Sequence, residues 1–277
     1  MCTGYAGHNF GLNNPLAQDI PGGPRDSDAG PLPQGSYTIG PLQNNVTSTG
    51  TVLPDSMRLI PDPSNDMFER SGFLIHGGNM KDRSSSQGCI VAPRDCLITI
   101  GSSNDKVFEG RPMTISRRFI CWSLSGSLFV GWSAHLYGQN AIAPTGSSSI
   151  HVTARGKKID LTIRTARIES TSDLFPDVES GAKSSTVIPD LRINIDRTKV
   201  LVPRSVFADL LDPRTASIRA EKADFLLTIS GGDGAESYFV RITFDSVKVK
   251  RRLLYSTLTP AVPSQETTYR LNVLKDE

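Results

Sequence analysis

The chain has 277 residues, of which 38% are hydrophobic and 21% are charged. This composition is typical of a soluble globular protein with one large domain or two smaller ones. The formal net charge of +2 argues against a nucleic-acid-binding protein, whose surface is usually strongly basic. Residues 1–112 carry 8 Lys and Arg against 11 Asp and Glu, whereas residues 142–277 carry 20 against 17. The opposite signs are compatible with two parts that attract each other.

The cysteines are too few and too unevenly spaced for a disulfide scaffold: Cys2, Cys89, Cys96 and Cys121. No CxxC pair occurs, so a structural zinc site lacks its usual support. We expect Cys2 to be an exposed terminal residue and Cys96 to lie in the core. The N-terminal stretch MCTGYAGHNFGLNN has neither a basic region nor an apolar run, so we expect no secretory signal on the first part.

The first hundred residues alternate turns rich in Gly and Pro with short apolar runs, which predicts a mainly β structure. The expected strands are Ser36–Leu42, Thr51–Pro61 and Gly72–Gly78. A further strand begins near Cys89 and leads into a short helix around Pro93–Ile100, with proline at an early helical position.

The segment 113–141 divides the chain. Met113 is followed by Arg117 and Arg118 and then by an apolar run, Phe119–Tyr137. This order is typical of a secretory signal peptide, with cleavage after Ala141. A buried helix and a membrane anchor over residues 119–137 are alternatives. We therefore expect three segments: a domain over 1–112, a targeting or membrane segment over 113–141, and a second domain over 142–277.

The second domain also favours strands, because its apolar residues alternate with polar ones over long stretches. The clearest are SIHVTARGKKIDLTIRTARI, LRINIDRTKVLV, DFLLTISGG and SYFVRITFDSVKV. GGDGAES, between the last two, has the composition of a hairpin-type loop. One helix is expected over Pro203–Pro213, which has proline at both ends and an apolar face.

The stretch LIHGGNMKDRSSSQGCIV pairs a histidine with a cysteine, His76 and Cys89. A cysteine nucleophile acts as its thiolate, and an imidazole within hydrogen-bond reach can take the thiol proton. Gly88 permits close approach of a substrate carbonyl, and the N–H groups of Gly88 and Cys89 are candidates for an oxyanion hole. Ser86 either holds the loop or binds substrate. The alternative is that Cys89 is a buried small hydrophobe. We expect His8, His135 and His151 to be structural or solvated.

IHGG and SSSQGCIV, together with GPLPQGSYTIG at residues 30–40, resemble the L,D-transpeptidase family. The similarity covers about residues 4–105 and is greatest to the branch of type VI-secreted, peptidoglycan-targeting effectors. The general family motif is Ser/Thr-His-Gly-Cys, and here Gln87 replaces its histidine. The resemblance implies an L,D-transpeptidase-like β-sandwich or barrel for the first domain. With the strand pattern of the second domain, we expect a mainly β fold in which this domain is followed by a second β-rich (α+β) domain. It implies no cofactor and no metal.

The resemblance also implies roles for individual residues. Cys89 attacks the carbonyl at the L-centre of the diamino acid in a stem tetrapeptide, and His76 is the base that later protonates the leaving D-alanine. The backbone carbonyl of Gly77 orients the imidazole. Hydrolysis of the thioester gives L,D-carboxypeptidase activity, and attack by an amine gives exchange or cross-linking. The substrate-binding residues are then Ser86, Gln87 and Arg94, the last of which is equally compatible with a solvated arginine.

An effector delivered by a secretion apparatus into the periplasm of a target cell needs no export signal of its own. The exported second domain then resembles the immunity protein expected beside such a toxin. Inhibition by occlusion of the active site is a hypothesis at this point. A papain-like or NlpC-type peptidase is disfavoured because those enzymes place cysteine before histidine. The non-enzymatic alternative is a membrane-anchored periplasmic binding protein.

Overall fold

The computed structural model describes residues 2–23, 28–110, 140–169 and 184–270. The fold is mainly β, which confirms the expected class. We call residues 2–110 the first part and residues 140–270 the second part. Residues 113–139, with His135 and Cys121, lie outside the described residues. The expected signal or membrane segment therefore lies outside them too, except for Asn140 and Ala141, which form a short strand. No helix among the described residues has the length and hydropathy needed to cross a membrane.

The first part consists of one seven-stranded sheet and one helix. The strand order is β1-β6-β5-β4-β2-β7, and β3 pairs with β4. The three predicted strands and the predicted helix are present within a few residues of their expected bounds. The elements are β1 Tyr5–Ala6, β2 Gly35–Ile39, β3 Gln43–Val46, β4 Val52–Pro61, β5 Leu74–His76, β6 Ile90–Val91, α1 Arg94–Ser102 and β7 Val107–Gly110.

The second part contains a four-stranded and a six-stranded antiparallel sheet. Their orders are β12-β11-β10-β9 and β17-β16-β15-β14-β13-β8. The strands are β8 Asn140–Ala141, β9 Gly146–Ala154, β10 Lys157–Glu169, β11 Ser184–Ile195, β12 Thr198–Lys199, β13 Pro213–Glu221, β14 Asp224–Gly231, β15 Tyr238–Phe244, β16 Val249–Ser256 and β17 Gln265–Thr268. The alternating apolar residues of the long strands face a common core, as their period of two requires.

The helix predicted over Pro203–Pro213 is wrong. The chain forms only a 3₁₀ turn over Arg204–Val206, and Pro213 opens β13. Phe207 leaves helical geometry at φ −140°, and it is buried in the core with Val206 and Leu210. Tertiary packing of these apolar side chains therefore outweighs the weak local helix preference.

Each part has a hydrophobic core of its own. One buried cluster, which includes Tyr37 and Met57, contains only residues of the first part. A second, larger cluster contains only residues of the second part. Among the described residues no strand of one part pairs with a strand of the other. Each part thus has the separate core and sheets expected of a domain that folds alone.

A disulfide joins Cys2 to Cys96, which the spacing of the cysteines did not predict. Cys2 is exposed, as expected, and Cys96 is partly buried against the core of the first part. The bond connects the segment before β1 to helix α1. Cys89 is the free cysteine of the described residues, and it is buried.

Candidate active site

Strands β5 and β6 are parallel, and their register sets the position of the candidate nucleophile. Ile75 pairs with Ile90 and His76 with Val91, so Cys89 lies beside Leu74 at the other end of the short pair. Cys89 and His76 are therefore offset by two residues across neighbouring strands. Because side chains alternate between faces with a period of two, both belong to the same face of the sheet.

The imidazole of His76 has a defined orientation. It is 2% exposed, and its Nδ1 lies 2.7 Å from the backbone oxygen of Gly77. A carbonyl only accepts hydrogen bonds, so Nδ1 carries the proton and Nε2 has a free lone pair. That Nε2 is buried without a hydrogen-bond partner among the described residues. Burial lowers the pKa of His76, and the bond to Gly77 opposes this shift, so the ring is neutral near pH 7.

The thiol of Cys89 is in its protonated form. Its Sγ accepts from the backbone N–H of Leu74 at 3.3 Å and donates weakly towards the oxygen of Gly72 at 3.8 Å. Burial raises the pKa of Cys89 to about 12, despite the hydrogen bond from Leu74. No hydrogen bond joins Cys89 to His76 in this structure. Catalytic hydrogen bonds are often absent until substrate binds.

Ser86 organises the loop between β5 and β6. Its hydroxyl donates to the oxygen of Cys89 at 2.7 Å and accepts from the backbone N–H of Gly7 and of Gly88 at 2.7 and 3.1 Å. His8, also buried, donates from Nδ1 to the oxygen of Ser86 at 2.6 Å. The Ser86 side chain thus bonds within the protein. The Gly88 N–H, a candidate oxyanion donor, already donates a hydrogen bond to the Ser86 hydroxyl.

The other two predicted substrate-binding residues differ in their surroundings. Gln87 is 1% exposed, and its side-chain oxygen accepts from the backbone N–H of Gly23 at 2.9 Å. Arg94, at the start of α1, has an exposed side chain that pairs with Asp55 at 2.9 Å. The Gln87 side chain is therefore buried and bonds within the first part, whereas Arg94 lies at the surface. His151, on β9, is also exposed and pairs with Asp160.

The second part covers Cys89 with the β14–β15 loop, residues 232–237, within the predicted GGDGAES stretch. Ala235 is completely buried and belongs to one cluster with Cys89, Leu53 and Leu74. The backbone N–H of Ala235 donates to the oxygen of Gly72 at 3.0 Å. The loop therefore lies against the face of the sheet that carries the thiol.

Glycines on both sides allow this close approach. Gly234 has φ +52°, and a Cβ added there would lie 2.7 Å from the oxygen of Gly72. Gly72 has φ +76°, and a Cβ there would lie 3.0 Å from the oxygen of Asp233. A side chain at either position would be strained by the backbone conformation and would push the two parts apart.

Charged groups of the loop pair with the first part. Asp233 accepts from Nε of Arg70 at 2.9 Å, and both side chains are nearly inaccessible. Glu236 accepts from the backbone N–H of Ser48 and lies 3.6 Å from Arg58. Loss of one member of a buried pair such as Arg70–Asp233 typically costs about 3–5 kcal/mol, because it leaves an uncompensated buried charge. Asp233 and Glu236 also oppose ionisation of Cys89.

Sequence reasoning missed Arg70. It lies in NDMFERSGF, which carries no motif, and it reaches the site only through the fold. Its neighbour Phe73 was within a predicted strand, but no pattern indicated that its ring would lie 5.0 Å from the Arg70 guanidinium. Opposite net charges of the two parts were the one available indication of an ionic contact between them.

Comparison with known proteins agrees with the motif in the first part. No curated protein and no solved structure matches the chain. Residues 1–99 match a family model described as the Tlde1 domain. This family consists of type VI secretion system effectors. The match includes both His76 and Cys89 and ends before the segment at Met113. The first part of this chain is therefore similar, over residues 1–99, to the Tlde1 domain of type VI effectors.

Proposed function

We propose that residues 1–112 form a cysteine-dependent enzyme that cleaves peptidoglycan stem peptides and that residues 142–277 form its inhibitor. The observation that carries the first half is the hydrogen bond from His76 Nδ1 to Gly77. It leaves the Nε2 lone pair on the face of the sheet that also carries the Cys89 thiol. The family match over residues 1–99 supports peptidoglycan as the target.

The proposed reaction is L,D-carboxypeptidase cleavage of a stem tetrapeptide. Nε2 of His76 takes the thiol proton, and Sγ of Cys89 attacks the carbonyl carbon at the L-centre of the diamino acid. The C–N bond to D-alanine breaks, and His76 returns the proton to the leaving amine. Water then hydrolyses the thioester, which releases a tripeptide and restores the thiol. A D-amino acid in place of water gives exchange.

The developing oxyanion needs nearby N–H donors. In the proposed mechanism the backbone N–H of Cys89 supplies one, and that of Gly88 supplies another once it leaves Ser86. This assignment makes Ser86 a residue that positions the loop. It also requires the Cys89 side chain to rotate from Gly72 towards His76.

The covered site supports the second half of the proposal. Ala235 packs on Cys89, and burial holds the thiol in its unreactive protonated form. The enzyme is delivered into the periplasm of a target cell, and the signal-like segment at residues 113–141 exports the inhibitor to the same compartment. Residues 142–277 are then an immunity protein that protects its producer by occluding the active site.

The test is mass spectrometry of purified tetrapeptide muropeptides after incubation with residues 1–112. Loss of one alanine is expected, and Cys89→Ala and His76→Ala should abolish it while leaving the circular dichroism spectrum unchanged. Addition of residues 142–277 should suppress it. Unchanged muropeptides with a folded wild-type protein would reject the enzymatic half. Undiminished cleavage in the presence of residues 142–277 would reject the inhibitory half.

A further inference from the structure

The carboxylate of Asp233 is held by three N–H groups of the first part. Nε of Arg70 donates to Oδ2 at 2.9 Å, and Nη2 donates to Oδ1 at 3.3 Å. The backbone N–H of Gly22 donates to Oδ1 at 2.6 Å. A two-pronged arginine contact of this kind matches the geometry of a carboxylate and is among the stronger hydrogen-bonded pairs.

Residues of the first part hold Arg70 in place without help from Asp233. Its Nη1 donates to the backbone oxygens of Gln18 and Pro31 at 2.8 and 2.7 Å. Its Nη2 also lies within 3.4 Å of the oxygen of Gln87, and its guanidinium packs on Phe73. Its Nε–H, in contrast, bonds Asp233 and no described residue of the first part. The donors are therefore already positioned for a carboxylate.

This carboxylate site adjoins the nucleophile. Gly88 immediately precedes Cys89, and a Cβ added to Gly88 would lie 2.4 Å from Nη2 of Arg70. Gly88 has φ +117°, a conformation that side chains other than that of glycine rarely adopt. Asp233, which binds Arg70, and Ala235, which packs with Cys89, are two residues apart in the same loop. The carboxylate site therefore lies within a few residues' reach of the thiol.

We infer that Arg70 and Gly22 form the subsite for the C-terminal carboxylate of the stem tetrapeptide, and that Asp233 occupies this subsite in place of substrate. The inference rests on the proposed function. In the tetrapeptide a single tetrahedral carbon separates the terminal carboxylate from the nitrogen of the scissile amide. A substrate carbonyl at Cys89 therefore brings that carboxylate close to Arg70.

Binding to residues 1–112 carrying Cys89→Ala tests this assignment without requiring turnover. The stem tetrapeptide with a free C-terminal acid should bind at least about tenfold more tightly than its C-terminal amide. Arg70→Met should abolish this preference, and Lys81→Met, which removes an exposed charge of the same part, should keep it. Equal binding of acid and amide, or a preference that survives Arg70→Met, would overturn the assignment.

Arg70→Met also removes hydrogen bonds to Gln18 and Pro31, so a second measurement leaves Arg70 intact. In the full chain, Asp233→Ala empties the subsite. Sodium acetate should then raise the melting temperature by about 2 °C or more beyond sodium chloride at equal ionic strength. The wild type should show no such difference. Absence of an acetate effect in Asp233→Ala would overturn a carboxylate site at Arg70.

These results separate the subsite from the reaction. If the acid binds through Arg70 but the wild-type first part releases no D-alanine, the proposed function fails and the subsite stands. If the wild-type first part releases D-alanine but the Cys89→Ala protein binds acid and amide equally, the proposed function stands and the subsite assignment fails.

Discussion

Ala235 of the β14–β15 loop and Cys89 of the first part share one buried cluster. The loop residue contributes a methyl group and the candidate nucleophile a thiol, so the contact excludes water without forming a hydrogen bond between them. Ala235 instead donates its N–H to Gly72, whose oxygen also lies 3.8 Å from the thiol. The second part thus covers Cys89, and its Asp233 and Glu236 add to the effect of burial in raising the pKa of the thiol.

We predict that Cys89 in the full chain reacts slowly with iodoacetamide at pH 8. Burial raises the pKa of Cys89 to about 12, so the reactive thiolate is scarce at that pH and is also inaccessible. Replacing residues 233–236 with Gly-Ser-Gly-Ser removes Ala235, Asp233 and Glu236 together. The alkylation rate should rise by up to about a thousandfold as the pKa returns towards that of a free thiol.

Mass spectrometry of the peptide that contains Cys89 measures this rate. Cys89→Ser should remove the labelled peptide. Equal rates in the wild type and the loop variant would mean that the loop does not cover the thiol in solution.

We predict a pH dependence of stability from His76. Burial lowers its pKa in the folded chain, so the folded state binds this proton less tightly than the unfolded state does. The full free energy of unfolding is therefore kept above the unfolded-state pKa of about 6.5, where His76 is neutral in both states. It decreases as the pH falls through the lowered pKa of the folded state. One histidine contributes at most about 1.4 kcal/mol per pH unit.

Denaturant unfolding of the full chain at pH 7.5, 6.5 and 5.5 measures this effect. His76→Gln, which does not titrate in this range, should show a shallower loss of unfolding free energy below pH 6.5 than the wild type. His151→Gln, on an exposed strand, controls for removal of any one histidine. Parallel wild-type and His76→Gln profiles would contradict a buried neutral imidazole.

We predict that Gly234→Ala weakens the association of residues 1–112 with residues 142–277. The new Cβ would lie 2.7 Å from the oxygen of Gly72 and 2.9 Å from that of Ser71. Overpacking of this kind costs about 1–3 kcal/mol, or about five- to 150-fold in affinity. Isothermal titration calorimetry of the two parts gives the dissociation constants.

Gly156→Ala is the matched control, because Gly156 also has positive φ but its added Cβ would have no heavy atom within 4 Å. It should lower the stability of the second part through backbone strain and leave the affinity unchanged. Equal affinities of the Gly234→Ala and Gly156→Ala proteins would show that the loop does not approach Gly72 in the complex.

We predict that the Cys2–Cys96 disulfide stabilises the first part. The two cysteines are 94 residues apart in sequence. Closing a loop of this size lowers the conformational entropy of the unfolded chain, which stabilises the folded state by up to about 4.7 kcal/mol at 25 °C. Cys2→Ser should lower the unfolding free energy of residues 1–112 by an amount of this order or less. Dithiothreitol should destabilise the wild type and leave Cys2→Ser unaffected, and equal responses of the two would argue against the bond.

The sequence predicted most of the fold because alternation in single strands is a local signal. DFLLTISGG and SYFVRITF alternate clearly, and both form strands as expected. The helix predicted over Pro203–Pro213 was wrong because its apolar residues fit a helical spacing but are held by contacts with distant strands. The Cys2–Cys96 bond was missed for a related reason. Spacing along the chain gives no information on which cysteines the fold brings together.

Some features of the candidate site could be predicted from the sequence, and others depend on the fold. His76 and Cys89 were predicted as the reactive pair from one continuous stretch, and the bond from His76 to Gly77 joins neighbouring residues. The offset between His76 and Cys89 depends on the parallel pairing of β5 with β6. The short sequence between these two strands did not predict parallel pairing. Arg70, Gly22 and Asp233 meet only in three dimensions. The sequence thus indicated the chemistry at Cys89 but not the groups that surround it.

The contacts that support the β14–β15 loop have a consequence for the design of peptides that bind the first part. Gly232 adopts positive φ, Ser237 bonds Gly234, and Thr257 bonds Ser237, so contacts within the second part support the shape of this loop. Little conformational freedom is then lost on docking. A free peptide with the sequence GDGAES lacks this support and should bind poorly, whereas a cyclic version closed where β14 and β15 pair should recover much of the affinity.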